Sequence, residues 1–253
     1  MPRSRDSKAG KRHAPTKSEL RAACGGRLRD VIAPRLAVLF VGINPGRYSA
    51  AVGHHFARPG NRFWPALHRA GITDRPLKPD AERELLAFGY GITNIVCRVT
   101  ATAAELSRAE LIAGARRLAA KVRRYRPRMV VVLGIGAYRA AFQRPHARLG
   151  AQRDSVGGAS LWVLPNPSGL NANYPLAELA RRFQEVHAAG AQGRNFPAPT
   201  GNRTEPIETL GPSRPIRLHG GAVAESGAGN RNRLGRLAQR PPSATRSRRR
   251  YSR

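Results

Sequence analysis

Residues 39–64 read LFVGINPGRYSAAVGHHFARPGNRFW, and this stretch holds the pattern that decides the fold. The apolar run at residues 36–41 leads into it and has the length of a buried strand. The run ends on GINPG, residues 42–46, where two glycines and a proline predict a tight turn. Loops that leave the carboxyl ends of strands hold ligands in α/β domains. We therefore interpret this turn as the floor of an active site, with Asn44 at its centre.

Strand-like and helix-like segments alternate along the chain. Further strands are predicted at residues 91–96, 129–133 and 160–164, and the continuous apolarity of MVVVL at 129–133 is typical of a strand that is buried on both faces. The spacing of apolar residues predicts helices at about 61–70, 80–88, 107–125, 137–142 and 175–188. Residues 143–158 are interpreted as a polar connection. This alternation predicts right-handed crossovers and a largely parallel sheet.

The net charge of +30 is extreme for a globular enzyme. Such a surface attracts polyanions, of which nucleic acid is the commonest, although a charge run can also serve only to keep a chain soluble. Residues 1–33 and 190–253 are basic and lack periodicity, so we expect both to be disordered, apart from a short helix near 18–23. They are either DNA-tethering arms or solvated extensions. One domain is predicted between them, at residues 34–189.

Several function classes are excluded by the motifs that the sequence lacks. Two distant cysteines, Cys24 and Cys97, cannot build a disulfide framework or a cysteine-rich metal site. No GxxxxGK[ST], HExxH or GxSxG motif occurs, so we expect no cofactor and no metal. No apolar run approaches the roughly 20 residues of a membrane span, and the basic N-terminus has no secretory h-region. A cytoplasmic protein is the simplest interpretation.

Two turns of unusual composition leave predicted strands, at residues 42–56 and 166–171, and in a parallel sheet both would open on the same edge. The first holds Asn44, His54, His55 and Phe56. An asparagine is not a strong base, but its amide can hold a water or a polar ligand. The residues alone also allow structural roles, with Asn44 supporting the turn, the histidines on the surface and Phe56 in the core.

The motifs GINPG, GHHFARPGNRFW and VLPNPSGLN, in this order and spacing, resemble the mismatch-specific uracil/thymine-DNA glycosylase family of the uracil-DNA glycosylase superfamily. The resemblance covers about residues 38–187. It implies a three-layer α/β/α fold with a mainly parallel central sheet. It also implies a monofunctional enzyme that flips a base out of duplex DNA and hydrolyses its N-glycosidic bond, which initiates base excision repair. Uracil opposite guanine is the expected substrate, with ethenocytosine and thymine as further candidates.

The resemblance also assigns roles to individual positions. Asn44 matches the catalytic asparagine that would position the attacking water. Five residues match positions of the base pocket, and these are Ile43, Ser49, His55, Phe56 and Asn94. Four residues match the loop that enters the duplex, with Leu170 as the wedge, and these are Ser168, Gly169, Leu170 and Asn171.

The implied partner is duplex DNA with a mispaired or damaged base, bound by a monomer without a cofactor or a membrane. Such a protein would be cytoplasmic and associated with the nucleoid through DNA. Two alternatives stay open. One is a superfamily relative with another specificity, such as hypoxanthine or single-stranded uracil. The other is a DNA-binding module without catalysis.

Overall fold

A five-stranded sheet forms the centre of the computed structural model, which describes residues 14–171 and 173–191. The strand order is β2-β1-β3-β5-β4, and every neighbouring pair is parallel except β4 and β5. The strands are β1 Val38–Gly42, β2 Tyr90–Asn94, β3 Met129–Leu133, β4 Gly150–Val156 and β5 Ala159–Leu164. The predicted mainly parallel sheet is therefore confirmed.

The helices begin and end at local signals that the sequence carries. Ser107 caps the longest of them by accepting a hydrogen bond from the Glu110 backbone N–H, and Pro127 follows its end. The α-helices are α1 Lys17–Ala22, α2 Arg47–Val52, α3 Phe63–Arg69, α4 Arg108–Tyr125, α5 Ile135–Ala141 and α6 Leu176–Ala191. Two 3-10 helices span Pro79–Leu86 and Ala103–Glu105.

Helices cover both faces of the sheet, which gives the expected three layers. Alternate residues of β3 point to opposite sides, so Val131 packs with α3 and α6, whereas Val130 packs with α4 and α5. All five residues of β3 are buried, as its continuous apolarity predicts. Two apolar cores, one on each face, thus hold the sheet between its helices.

Three regions differ from the sequence-based expectations. Residues 143–158 are not only a connection, because β4 lies within them and pairs with β5. As an edge strand with alternating exposure, β4 carries polar residues and shows no apolar pattern. Helix α2 was not predicted, since its six residues, RYSAAV, are too short to show a helical period.

The third difference concerns the start of the domain. Residues 14–33 were expected to be disordered apart from a short helix, and α1 is indeed present. However, Val31 is 1% exposed and exchanges two backbone hydrogen bonds with Ile92 of β2. Asp30 also accepts hydrogen bonds from Thr93 and Lys121. The boundary expected at residue 34 therefore lies too late, while residues 1–13 and 192–253 lie outside the described part of the chain.

No helix within the described ranges is both long and apolar enough to cross a membrane.

Candidate active site

The carboxyl ends of the parallel strands lie level, because Gly42 pairs with Asn94 and Leu133 pairs with Leu164. The loops that follow them enclose a cavity of about 450 Å³. Nine of the ten predicted site residues line it, and these are Ile43, Asn44, Ser49, His55, Phe56, Asn94, Ser168, Leu170 and Asn171. The structure therefore brings the two predicted turns together at one edge of the sheet.

The amide of Asn44 is held in one orientation by its neighbours. Its Nδ2 donates to the Thr100 hydroxyl at 2.7 Å, to the Arg98 carbonyl at 3.0 Å and to the Pro45 carbonyl at 3.3 Å. Because carbonyl oxygens only accept, Nδ2 and not Oδ1 must face them. No described residue donates a hydrogen bond to Oδ1. The side chain thus presents a fixed acceptor at the cavity, which suits it to orient a water molecule.

Thr100 helps to hold the Asn44 amide in this orientation. Its side chain is buried, and its hydroxyl donates to the Thr102 carbonyl at 2.7 Å while it accepts from Asn44. The Thr100 backbone N–H also donates to the Pro45 carbonyl, which pairs this segment with the turn. A hydroxyl with its proton committed to Thr102 can only accept from Asn44, so it reinforces the amide orientation.

Phe56 forms an aromatic wall of the cavity. Its φ of 53° is unusual for a non-glycine residue, and its ring stacks on Phe63 with 4.1 Å between centroids and 25° between planes. Opposite it, Gly42 leaves room, since a Cβ there would lie 3.4 Å from Phe56 Cζ and 2.5 Å from Asn94 Oδ1. The cavity therefore keeps an aromatic face beside an amide, which suits a flat polar ring.

His55 is buried and its ring is locked. Its Nε2 lies 2.9 Å from the Arg29 carbonyl, so Nε2 carries the proton and Nδ1 is the acceptor. Its backbone N–H donates to Glu82 Oε2 at 2.7 Å, and its carbonyl accepts from Trp64 Nε1 at 3.1 Å. Burial lowers the pKa of His55, although the bond to Arg29 and the charge of Glu82 oppose the shift. The ring is therefore neutral at physiological pH.

Ser49 and Asn94 complete the polar lining. The Ser49 hydroxyl accepts from the Ala57 backbone N–H at 3.2 Å, which ties α2 to the segment that follows Phe56. Asn94 is 7% exposed, and none of the described residues hydrogen-bonds its side-chain amide. Asn94 lines the cavity, so the donor and the acceptor of its amide are both left for a polar ligand there.

The loop at residues 166–171 forms the outer wall and places an apolar side chain in solvent. Leu170 is 74% exposed, and it is the one exposed large hydrophobic residue in the described part of the chain. Ser168 N–H donates to Asn166 Oδ1 at 3.0 Å, and Asn171 Nδ2 donates to the Asn166 carbonyl at 3.0 Å. Gly169 does not line the cavity but packs against Gly60. A Cβ added to Gly169 would lie 2.6 Å from the Gly60 carbonyl oxygen.

Three residues at the site were missed from the sequence. Leu28 lines the cavity but lies in the segment that was expected to be disordered. Thr100 carries no motif, and only its distance from Asn44 identifies it. Arg62 belongs to the quoted GNRFW and could have been singled out, because an arginine beside a helix start and two glycine-rich turns suggests backbone carbonyls as partners.

Across residues 14–171 and 173–191, no three His, Cys, Asp or Glu side chains come together as metal ligands.

Two comparisons relate this chain to known proteins. A family model described as the uracil DNA glycosylase superfamily matches residues 29–187, which is more than half of the chain. Among solved structures, the chain is similar to a candidate uracil DNA glycosylase from Methanosarcina acetivorans, determined by solution NMR. That match has 17% sequence identity and a TM-score of 0.43, and it covers 64% of this chain and 97% of the other.

Proposed function

This chain belongs to the uracil DNA glycosylase superfamily, and from that premise we propose that it is a mismatch-directed enzyme. In this proposal it flips uracil that is mispaired with guanine out of duplex DNA and hydrolyses its N-glycosidic bond. The mismatch-specific uracil/thymine branch is the part of the superfamily that its motifs resemble. The observation that carries the proposal is the Asn44 amide, which is fixed by three acceptors with Oδ1 turned to the cavity.

Asn44 would orient the attacking water by accepting one of its hydrogens at Oδ1. The water oxygen forms a bond to C1′ as the bond from C1′ to the base nitrogen breaks, and the electron pair of that bond leaves with the base. The proton of the attacking water passes to solvent, because a neutral amide cannot take it. We therefore expect slow chemistry that depends on stabilisation of the departing base anion, to which the backbone N–H groups near Ile43 and Phe56 would contribute.

The walls of the cavity suit a flipped pyrimidine. The Phe56 ring would stack on the base, since its position is fixed from behind by Phe63. The Asn94 amide has a donor and an acceptor, and uracil offers the complementary pair at N3–H and O4. His55, neutral and with Nδ1 as an acceptor, adds no positive charge beside the base.

Leu170 would fill the space that the flipped nucleotide leaves. A flipped base must be unstacked and unpaired at a cost of a few kcal/mol, and this cost is smallest at a mispair. Apolar side chains inserted between bases offset that cost. An exposed leucine on an internally hydrogen-bonded loop beside the cavity has the required position and chemistry.

The test is single-turnover base release from a panel of labelled oligonucleotides, each treated with alkali to cleave abasic sites. The panel holds G:U, A:U, G:T, G:ethenocytosine and hypoxanthine duplexes, and uracil in a single strand. We expect the fastest release from G:U, and a loss of about 100-fold or more in Asn44→Ala with duplex binding retained. No cleavage of any member by the wild type would refute the proposal in favour of a binding module, and preferred cleavage of another member would identify a different specificity.

A further inference from the structure

One arginine joins the two walls of the cavity. Arg62 lies just before α3, and its guanidinium reaches across to the loop at residues 166–171 and the residues that follow it. Its Nη2 donates to the carbonyls of Ser168 and Asn171, both at 2.6 Å, and Nη1 donates to the carbonyl of Tyr174. Three carbonyls of one short segment thus converge on a single side chain.

The chemistry of this contact suits an arginine. Carbonyl oxygens only accept, so their partner must be a donor, and a guanidinium supplies several donors in a fixed fork. No carboxylate in the described part of the chain pairs with Arg62, and its Nε is buried without a hydrogen-bond partner. The positive charge is therefore directed at the loop backbone rather than used in an ion pair.

Backbone contacts around the guanidinium support the same junction. The Arg62 N–H donates to the Pro167 carbonyl at 2.9 Å, and Gly169 packs directly on Gly60. These contacts seat the base of the loop, while Leu170 at its tip stays exposed. The loop is therefore held at its base and open at the residue that would enter DNA.

We propose that Arg62 is a positioning residue that holds this loop in its inserting conformation before DNA is bound. The proposal rests on the proposed function, because it assumes that Leu170 acts as the wedge. Ordering a loop on binding costs backbone entropy, and a loop that is already ordered avoids this cost at the moment of insertion. Arg62 thus acts on extrusion of the base and not on cleavage of the glycosidic bond.

The test compares Arg62→Met and Arg62→Lys with the wild type on a G:U duplex that carries 2-aminopurine beside the uracil. The fluorescence rise reports flipping, and alkali treatment reports base release. We expect Arg62→Met to flip and release the base about 2- to 10-fold more slowly, with Arg62→Lys between it and the wild type. Arg69→Met is the matched control, since Arg69 is exposed on α3 and the charge change is the same.

A second substrate separates positioning from general damage. A uracil in a one-nucleotide bulge has no pair to open, so we expect Arg62→Met to approach wild-type release on it. Equal flipping by Arg62→Met and wild type would overturn the inference, as would an equal loss on the bulged and paired substrates. If the wild type flips the base without releasing it from any substrate, the proposed function fails while the role of Arg62 is still measured. Arg62→Lys carries the test if Arg62→Met does not fold.

A different observation supports a second inference at the opposite edge of the sheet. Four exposed arginines lie where β1 and β3 begin, and we call them the arginine edge: Arg35, Arg124, Arg126 and Arg128. Backbone bonds join their segments, since Arg35 N–H donates to the Tyr125 carbonyl at 2.7 Å and Arg128 N–H donates to the Leu36 carbonyl at 2.9 Å. The cavity that binds the base lies at the other end of the same strands.

None of the four members of the arginine edge forms an ion pair with a described residue. Arg124 instead lies over the Tyr125 ring at 5.7 Å. Arg35 and Arg126 have φ values of 59° and 50°, a region that favours glycine. Arginine at such positions is conformationally costly. Only two other described non-glycine residues have positive φ, and these are Phe56, at the cavity, and Gln143.

We propose that the arginine edge binds the phosphate backbone of a second DNA segment while the cavity engages the first. Arginine forks match phosphate oxygens with two donors. A protein partner is disfavoured, because interfaces are anchored by buried apolar or aromatic residues and the described chain exposes no large hydrophobic residue here. The two edges face opposite directions, so a straight duplex at the cavity does not cover the arginine edge.

The test is bridging of two uracil-free duplexes, one labelled with a donor dye and one with an acceptor dye, by the full-length protein. We expect the variant Arg124→Ser/Arg126→Ser/Arg128→Ser to lose most bridging and to lower the salt slope of binding by about one per lost phosphate contact. Base release from a short saturating G:U duplex should not change. The matched control is Arg69→Ser/Arg83→Ser/Arg153→Ser, three exposed arginines elsewhere. Bridging by the arginine-edge variant at the wild-type level, or an equal loss of bridging in the control, would overturn the inference. Because bridging needs no base release, this result is independent of the proposed function.

Discussion

The loops at residues 42–56 and 166–171 meet at one cavity but are built in different ways. In the first, the candidate site groups are held by bonds within the domain, since the Asn44 amide and the His55 ring both have fixed partners. In the second, the proposed wedge has no such support, because Leu170 is exposed and only the backbone beneath it is anchored. A group that orients a reacting water must be placed precisely, whereas a wedge only needs to be available.

After Asn44→Ala, the largest effect is expected from Gly42→Ala, which tests whether the 42–56 side of the cavity tolerates any displacement. The added Cβ would lie 2.5 Å from Asn94 Oδ1 and 3.4 Å from Phe56 Cζ, so the amide must move. We expect base release from G:U to fall by about 100-fold in single-turnover assays. Gly46→Ala is the control in the same turn, since a Cβ there has no atom within 4 Å. Near-wild-type release by Gly42→Ala would show that Asn94 is not required in its observed position.

Much of this cavity could be predicted from the sequence. GINPG and NPSGL mark turns by composition alone, and the parallel alternation places both at one sheet edge. The site roles expected for Asn44 and Phe56 came from the family resemblance, since the residues alone also allow structural roles. Leu28 and Thr100 could not be predicted in this way, because they reach the cavity through tertiary contacts between segments that have no motif and no period.

The same reasoning explains what was missed in the fold. The antiparallel strand β4 has a polar sequence because one of its faces is exposed at the sheet edge, so hydrophobic periodicity gives no signal for a strand there. Val31 is a single apolar residue in a basic segment, and its burial depends on the unpaired edge of β2 that it covers. Hydrophobic periodicity identifies elements in which apolar residues recur at regular spacing, and neither β4 nor the segment around Val31 has such spacing.

Leu170→Ala should have the next largest effect, and it addresses the 166–171 side. The leucine is 74% exposed, so its loss leaves the core unchanged and we expect the same melting temperature as the wild type. Flipping and release on a G:U duplex should slow about tenfold, because a smaller side chain fills less of the vacated stack. The measurements are a thermal melt and single-turnover release. A large loss of thermal stability would mean that the leucine packs within the domain and is not simply available to DNA.

A smaller effect is expected at Thr100, whose hydroxyl supports the Asn44 amide. Thr100→Val keeps the shape but removes the acceptor at 2.7 Å from Nδ2, and a net hydrogen bond contributes about 0.5–1.5 kcal/mol. We expect the maximal single-turnover rate to fall about 2- to 10-fold, with the Kd for duplex unchanged. Thr100→Ser retains the hydroxyl and should restore the rate. A change in Kd instead of rate would assign Thr100 to DNA binding.

The smallest effect concerns the pH dependence of stability, and it tests whether the 42–56 loop depends on a neutral His55. Burial lowers the pKa of His55 in the folded protein below its ordinary 6.5, so the unfolded chain binds more protons as pH falls from that value. The stability due to the neutral ring is complete above pH 6.5 and is lost as pH falls toward the folded pKa. We expect the urea midpoint of the wild type to fall over this range more steeply than that of His55→Asn. Parallel curves for the two proteins would show that protonation of His55 does not oppose folding.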